Sequence, residues 1–192
     1  MTREEWLEKS IQLITERIFI PKGYVVPKVK ISIGFTGSRN SKKALGACWS
    51  PDASDDGLCQ IFITPTQSDS TDIQAVLVHE LVHAVVGNDK GHGKVFKHCA
   101  LDVGLTGKMR STVAGDTLRE CLNALTNEIG PIPHAKLNLN LNPKKKQGTR
   151  LLKVACELTG YTARVTRMWI ESYGVPVCPC CQNSMSIEGR TE

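Results

Sequence analysis

Two histidines and a glutamate, His79, Glu80 and His83, stand at the spacing His-Glu-x-x-His. Residues four apart lie one turn apart on the same face of a helix, so two imidazoles at this spacing can close on one Zn²⁺. The carboxylate between them stands beside the ion, where a general base for hydrolysis is needed. The neighbours supply the helix. From Ala75 to Val86 every other side chain is Ala, Val or Leu. At about 100° per residue the three polar groups share an arc of roughly 100°, and apolar residues cover the rest. A helix buried on most sides leaves polar groups bare only at a cost of several kcal/mol, so pairing or metal binding is expected.

A catalytic zinc takes three protein ligands and keeps one position open. Eight residues beyond His83 the chain reads Gly91-His92-Gly93, opening a second expected helix whose apolar face is Val95, Phe96, Cys99, Ala100 and Val103. The glycines permit a tight path back toward the metal, which makes His92 the expected third ligand. His98 and Asp89 compete for that role, but His98 falls on the far side of the helix from His92. His134 is isolated. Cys48, Cys59, Cys99 and Cys121 read as ordinary buried residues.

The remaining elements must position this pair of helices. Thr2 and Glu5 have the spacing of a capping box and predict a first helix over about 3–19, with Trp6, Leu7, Ile11, Ile14 and Ile18 inward and Pro21 and Gly23 as its end. Lys28–Phe35, Ala44–Trp49 and Leu58–Thr64 predict three short strands separated by turn-rich loops. Brief connections favour a small mixed or antiparallel sheet under the metal helix. Ser70 or Thr71 is expected to cap that helix and Gly87 to end it. A further helix is expected over about 115–128, with Leu118, Cys121, Leu122 and Leu125 inward. Cys59–Thr64, just before the metal helix, is the expected edge for an extended peptide. Trp49 and Tyr24 are candidates for the cleft, with core packing the plainer expectation.

The periodic pattern fades in GPIPHAKLNLNLNPKKKQGTR. The expected organisation is therefore a main domain over 1–137, a basic linker over 138–150 and a small β domain over 151–192. Residues 1–140 hold 16 Lys and Arg against 15 Asp and Glu, whereas residues 141–192 hold 8 against 4. A basic tail on a near-neutral body suits a polyanion partner. Lys144, Lys145, Lys146, Arg150 and Lys153, with Arg164, Arg167 and Trp169, combine cations and an aromatic as a nucleic-acid backbone and its bases require. A solvated Lys-rich linker explains the charge equally well. No apolar run approaches the ~18 residues of a membrane span, and the charged start, MTREEWLEK, lacks a signal-peptide core. A cytoplasmic location is expected, with the eight Cys as thiols or metal ligands rather than disulfides.

Three stretches, VLVHELVHAVVG, GHGKVFKHCALDVGLTG and GYTARVTRMWIESYGVPVCPCC, resemble the SprT-like family of zinc metallopeptidases, which includes the DNA–protein crosslink proteases known as Spartan. The resemblance runs from about Lys28 onward. It implies an α+β zincin-like metallopeptidase domain with one catalytic Zn²⁺, followed by a small β zinc-ribbon-like domain. Metzincins are set aside, because the Gly and His they require after the second zinc histidine are Val86 and Asp89 here. The ribbon of the family is usually closed by two Cys-x-x-Cys knuckles. Here the first reads Cys156-Glu157-Leu158-Thr159, so a second, structural zinc would rest on Cys156, Cys178 and Cys181, with Cys180 as a strained substitute. The implied chemistry is peptide-bond hydrolysis on a protein substrate associated with DNA, with Glu80 as general base. Two rivals stand beside it: a non-catalytic adaptor retaining the fold, and a DNA-independent cytoplasmic protease with a dedicated substrate.

Overall fold

The computed structural model describes residues 1–37, 44–141 and 151–187, and the chain divides into two compact units, Met1–Leu141 and Asn142–Glu192. The architecture is α+β, with helices and small sheets in the first unit and a three-stranded sheet with one helix in the second. None of the described helices is long and apolar enough to cross a membrane.

The first helix, α1 (Arg3–Ile14), starts on the capping box its sequence predicts: the Glu5 amide donates to Thr2 Oγ1, and the Thr2 amide donates to the Glu5 carboxylate at 2.7 Å. The helix does not run on to residue 19 in α form. A π-helical segment, Thr15–Phe19, and a short 3₁₀ turn, Ile20–Lys22, carry the chain to Gly23. This path still buries Ile18 and Phe19 with Trp6, Leu7 and Ile14. The Trp6 indole donates to Gly130 O at 2.9 Å, tying α1 to the end of α4 (Asp116–Ile129).

Three strands follow, β1 (Val29–Ile33), β2 (Gly46–Trp49) and β3 (Cys59–Ile63), in the order β1-β3-β2. The sheet is mixed: β1 runs parallel to β3 and β2 antiparallel to it. The strand expected to be the edge, β3, is therefore the centre. Buried Cys59, Ile61 and Ile63 alternate with half-buried Gln60 and Phe62, so one face of β3 turns inward while β1 and β2 pair along its two edges. The edge beside the metal helix is β2. Trp49 is exposed at its end, correcting the core-packing expectation, and its indole donates to Thr36 O. Tyr24 is partly buried and hydrogen-bonds Asp102.

The helix that carries His79 and His83, α2 (Ser70–Val86), is capped by Asp69, whose Oδ1 accepts from the Asp72 amide at 2.8 Å. Ser70 and Thr71 do not cap it because their hydroxyls are engaged sideways: Ser70 accepts from the Ile132 amide, and Thr71 donates to Asn123 at 2.8 Å. Gly87, at φ 90°, ends it. Leu77, Val78, Leu81 and Val82 have no exposed surface and join α1, α3 (Lys94–Asp102), α4 and the sheet in one core. Within α3, Phe96, Cys99 and Ala100 are buried as expected, but Val95 is exposed. In α4 Leu118, Leu122 and Leu125 are buried, whereas Cys121 is only partly so, and Cys48 likewise.

Between α3 and α4 lies a hairpin, β4 (Leu105–Lys108) and β5 (Ser111–Ala114), for which the sequence offers only weak alternation. In the second unit β6 (Leu152–Ala155) lies between β7 (Thr162–Val165) and β8 (Ser186–Ile187). That unit is not made of strands alone. Arg167–Tyr173 forms a helix, α5, capped by Thr166, so Arg167 and Trp169 stand on a helix.

Candidate metal centre

The i and i+4 spacing on α2 carries His79 and His83 to the same face, toward the segment entering α3. His92 reaches them because the backbone turns back at Gly91, whose φ of 49° and ψ of −137° suit glycine alone. The outcome is a cluster of three Nε2 atoms. His92 Nε2 lies 3.2 Å from His83 Nε2 and 3.3 Å from His79 Nε2. Three ring nitrogens turned to one point form a group that could hold a metal ion. Zn–N bonds of 2.0–2.1 Å in a tetrahedron place ligand nitrogens about 3.3–3.4 Å apart, and an octahedron would place adjacent ones about 3.0 Å or less apart. The donor set and its spacing fit tetrahedral Zn²⁺.

Phe96, fully buried on α3, packs against all three rings, with centroid separations of 4.4–5.0 Å. This apolar floor has an electrostatic consequence. Burial, reinforced by the neighbouring His83 and His92, pulls His79 down to about 3, and burial with His92 pulls His83 down to about 4. His92 is lowered too, by burial and then by the charge of Arg110. All three are held in the neutral form that binds metal.

Glu80 is buried beside the cluster, with 5% of its surface exposed. Burial pushes its carboxyl up to about 8, opposed by a hydrogen bond from the Cys48 amide on β2. The edge strand must come this close, and Gly46 is the reason it can. A Cβ at Gly46 would stand 2.6 Å from Glu80 Oε1 and 2.7 Å from Val76 Cγ1. Cys48 O in turn accepts from the Asn88 side chain at 2.5 Å, fixing β2 to the turn after α2. The cluster opens into a cleft of about 520 Å³ walled by Ala44–Cys48, Val76, Asn88, Gly91 and the tip of the β4–β5 hairpin.

Thr112, on β5, has no counterpart in the sequence expectations. Its hydroxyl lies 2.8 Å from His79 Nδ1. With Nε2 given to a metal, Nδ1 would carry the proton and donate to Thr112, which would orient the ring as a metal site requires. The competing ligands are elsewhere. His98 is exposed and faces Asp102 at 3.8 Å, Asp89 pairs with Lys90, and His134 contacts Pro65 O.

A second cluster lies in the C-terminal unit. Cys156 Sγ and Cys181 Sγ are 3.5 Å apart, and Cys178 Sγ completes a group whose sulfurs all lie within 4.8 Å of one another. Zn–S bonds of about 2.3 Å imply sulfur separations near 3.8 Å, so three thiolates here fit a thiophilic ion. Thr159 stands beside the group, its hydroxyl 3.3 Å from Cys178 Sγ. Cys180 is exposed and outside the group. Of the basic residues singled out in the sequence, Lys153 and Arg164 are directly opposed on β6 and β7. Arg167 lies 3.9 Å from Glu171, and Trp169 is exposed and stacked on Tyr173 at 5.0 Å. Lys144, Lys145, Lys146 and Arg150 lie outside the described residues.

A model of the SprT-like family matches residues 8–115, more than half of the chain. No curated protein and no solved structure matches it.

Proposed function

The chain belongs to the SprT-like family, and on that premise we propose that it is a zinc-dependent metallopeptidase acting on DNA-associated proteins. The observation that carries the reading is the convergence of His79, His83 and His92 at 3.2–3.3 Å with a buried carboxylate, Glu80, next to them. His79, His83 and His92 would hold the ion. When bound, Zn²⁺ would supply Lewis acidity, polarising the scissile carbonyl and lowering the pKa of a water so that its deprotonation gives a nucleophile. Glu80, which the ion's positive charge would return to the ionised form, would take a proton from the attacking water and pass it to the leaving amine. Its carboxylate is aimed by the Cys48 amide and confined by the bare backbone of Gly46. Thr112 keeps the His79 ring in one tautomer, and Phe96 excludes water from beneath the three rings. The exposed edge of the sheet at β2 gives an extended peptide a place to lie.

The C-terminal unit is read as a zinc ribbon held by Cys156, Cys178 and Cys181, with a DNA-binding face. Two things support the DNA reading. Lys153 and Arg164, directly opposed on neighbouring strands, set two cations on one face of the sheet, as a phosphate backbone calls for. An exposed Trp169–Tyr173 pair beside Arg167 suits base stacking. The test is to incubate the protein with a basic DNA-binding protein, with and without single-stranded DNA. Cleavage stimulated by DNA is expected. Cleavage indifferent to DNA would retain the peptidase and remove the nucleic acid, and binding without any cleavage would favour an adaptor.

A further inference from the structure

The hairpin tip contributes one group that neither the metal site nor Glu80 accounts for. Lys108 pairs with Ser111, so Met109 and Arg110 form the two-residue turn. Met109 packs against the main core and pins the tip, while Arg110 is exposed and lines the cleft. The hairpin is fixed against the metal centre at its other strand by the 2.8 Å contact of Thr112 with His79. Arg110 is thus held at a set place on the cleft wall, near enough for its charge to act on His92.

Arg110 makes no ion pair or hydrogen bond among the described residues, although the surface elsewhere pairs Arg17 with Glu128, and Arg119 with Asp72. The cleft wall holds one carboxylate, Glu80, which is buried against the Cys48 amide. The rest of the wall mixes small or apolar residues, such as Leu45, Ala47 and Val76, with the three histidines, Asn88 and Thr112, and among the described residues it carries no second acid and no further Lys or Arg. A guanidinium with its donors unused, set in a peptide-sized groove, is a recognition group for a planar anion, because its fork matches a carboxylate in two parallel hydrogen bonds.

We propose that Arg110 is a specificity-determining residue that binds a carboxylate of the substrate peptide close to the bond that is cut. The inference rests on the peptidase reading for its context. The carboxylate has two sources, an internal Glu or Asp side chain or the free C-terminus of the peptide. A nucleic-acid phosphate could meet the same fork, and the oligonucleotide arm of the test below separates it from a peptide carboxylate.

The test uses the full chain and labelled Ala-rich peptides carrying Glu, Gln or Lys at successive positions, each made with a free or an amidated C-terminus. The readout is the ratio of kcat/KM for the Glu and Gln versions. A ratio of about ten or more at one position is expected in the wild type, in line with a charge-assisted pair. Arg110→Gln should bring that ratio near one, and Arg110→Glu should turn the preference toward Lys. A merely structural role would lower every rate and leave the ratio intact. Dependence on the free terminus rather than on internal Glu would assign the carboxylate to the chain end. Binding of the same peptides to Glu80→Gln and to Glu80→Gln/Arg110→Gln, read by fluorescence anisotropy, separates the two readings. If no peptide is cut but the carboxylate preference appears and disappears with Arg110, the assignment stands and the peptidase reading falls. A ratio unchanged in Arg110→Gln overturns the proposal, as does a variant that loses only affinity for a single-stranded oligonucleotide.

Discussion

The chemistry of this chain is concentrated in a few side chains whose neighbours leave them little freedom. Glu80 is the sharpest case, buried between the Cys48 amide and the bare backbone of Gly46. Gly46→Ala would bring a methyl to 2.6 Å from Glu80 Oε1 and so must displace the carboxylate. Zinc should stay bound while cleavage falls, on the order of a hundredfold, because displacements near 1 Å have that effect on a positioned group. Metal analysis beside a rate assay checks both halves. Thr112→Val removes the acceptor for His79 Nδ1. Zinc affinity should drop about 10–100-fold, measured by competition with a chelator. That His79 and His83 share one face was legible from spacing alone, because i and i+4 positions meet on any helix, whereas the approach of His92 was suggested by its flanking glycines. Thr112 was not. It reaches the site through a hairpin, β4–β5, whose sequence LTGKMRSTVA alternates poorly and lies 33 residues from His79.

Elements place these residues, and here local and non-local information part company. The capping box of α1, the end of α2 at Gly87 and the three short strands follow from residues adjacent in the chain. Sheet order does not. The run Cys59–Ile63 adjoins the metal helix in sequence and looks like its edge, yet it pairs on both sides, and β2 takes the edge. The N-cap of α2 shows the same limit on a smaller scale. Asp69, Ser70 and Thr71 are all good caps, and the choice is decided by Asn123 and Ile132, more than 50 residues away, which engage Thr71 and Ser70. Asp69→Ala should therefore lower stability by about 0.5–2 kcal/mol in a denaturant titration, with zinc restoring part of the loss by mass action. Ser70→Ala and Thr71→Ala act elsewhere in the fold and should leave the helix end intact, as amide exchange at Asp72 would report.

At the scale of the whole molecule, the chain joins a unit bearing a histidine cluster to one bearing a cysteine cluster. The proposed reading gives two zinc ions of different character. Cys178→Ser should reduce the zinc content from two per chain to one, with the remaining ion released by His83→Ala. A structural site with three thiolates and Thr159 beside them should also yield its zinc to a chelator sooner than one closed by four ligands, so Thr159→Cys is expected to slow that release. For DNA, Lys153→Ala and Arg164→Ala should weaken single-stranded DNA binding about equally across sequences and flatten its salt dependence. The helix α5 within this unit was hidden from a reading that expected strands around the cysteines. Its seven residues are too few for a helical period to stand out, and its signal is the single cap Thr166.

The central claim is that the three histidines hold a zinc ion beside which Glu80 moves the proton. The most direct measurement compares the wild type with Glu80→Gln, cleaving one unfolded protein at matched zinc content. The account predicts equal zinc in both and a loss of cleavage of about 10²–10⁴-fold or more in the variant. Equal cleavage by the two proteins would contradict it, because hydrolysis would then proceed without the one carboxylate the fold buries beside the metal centre.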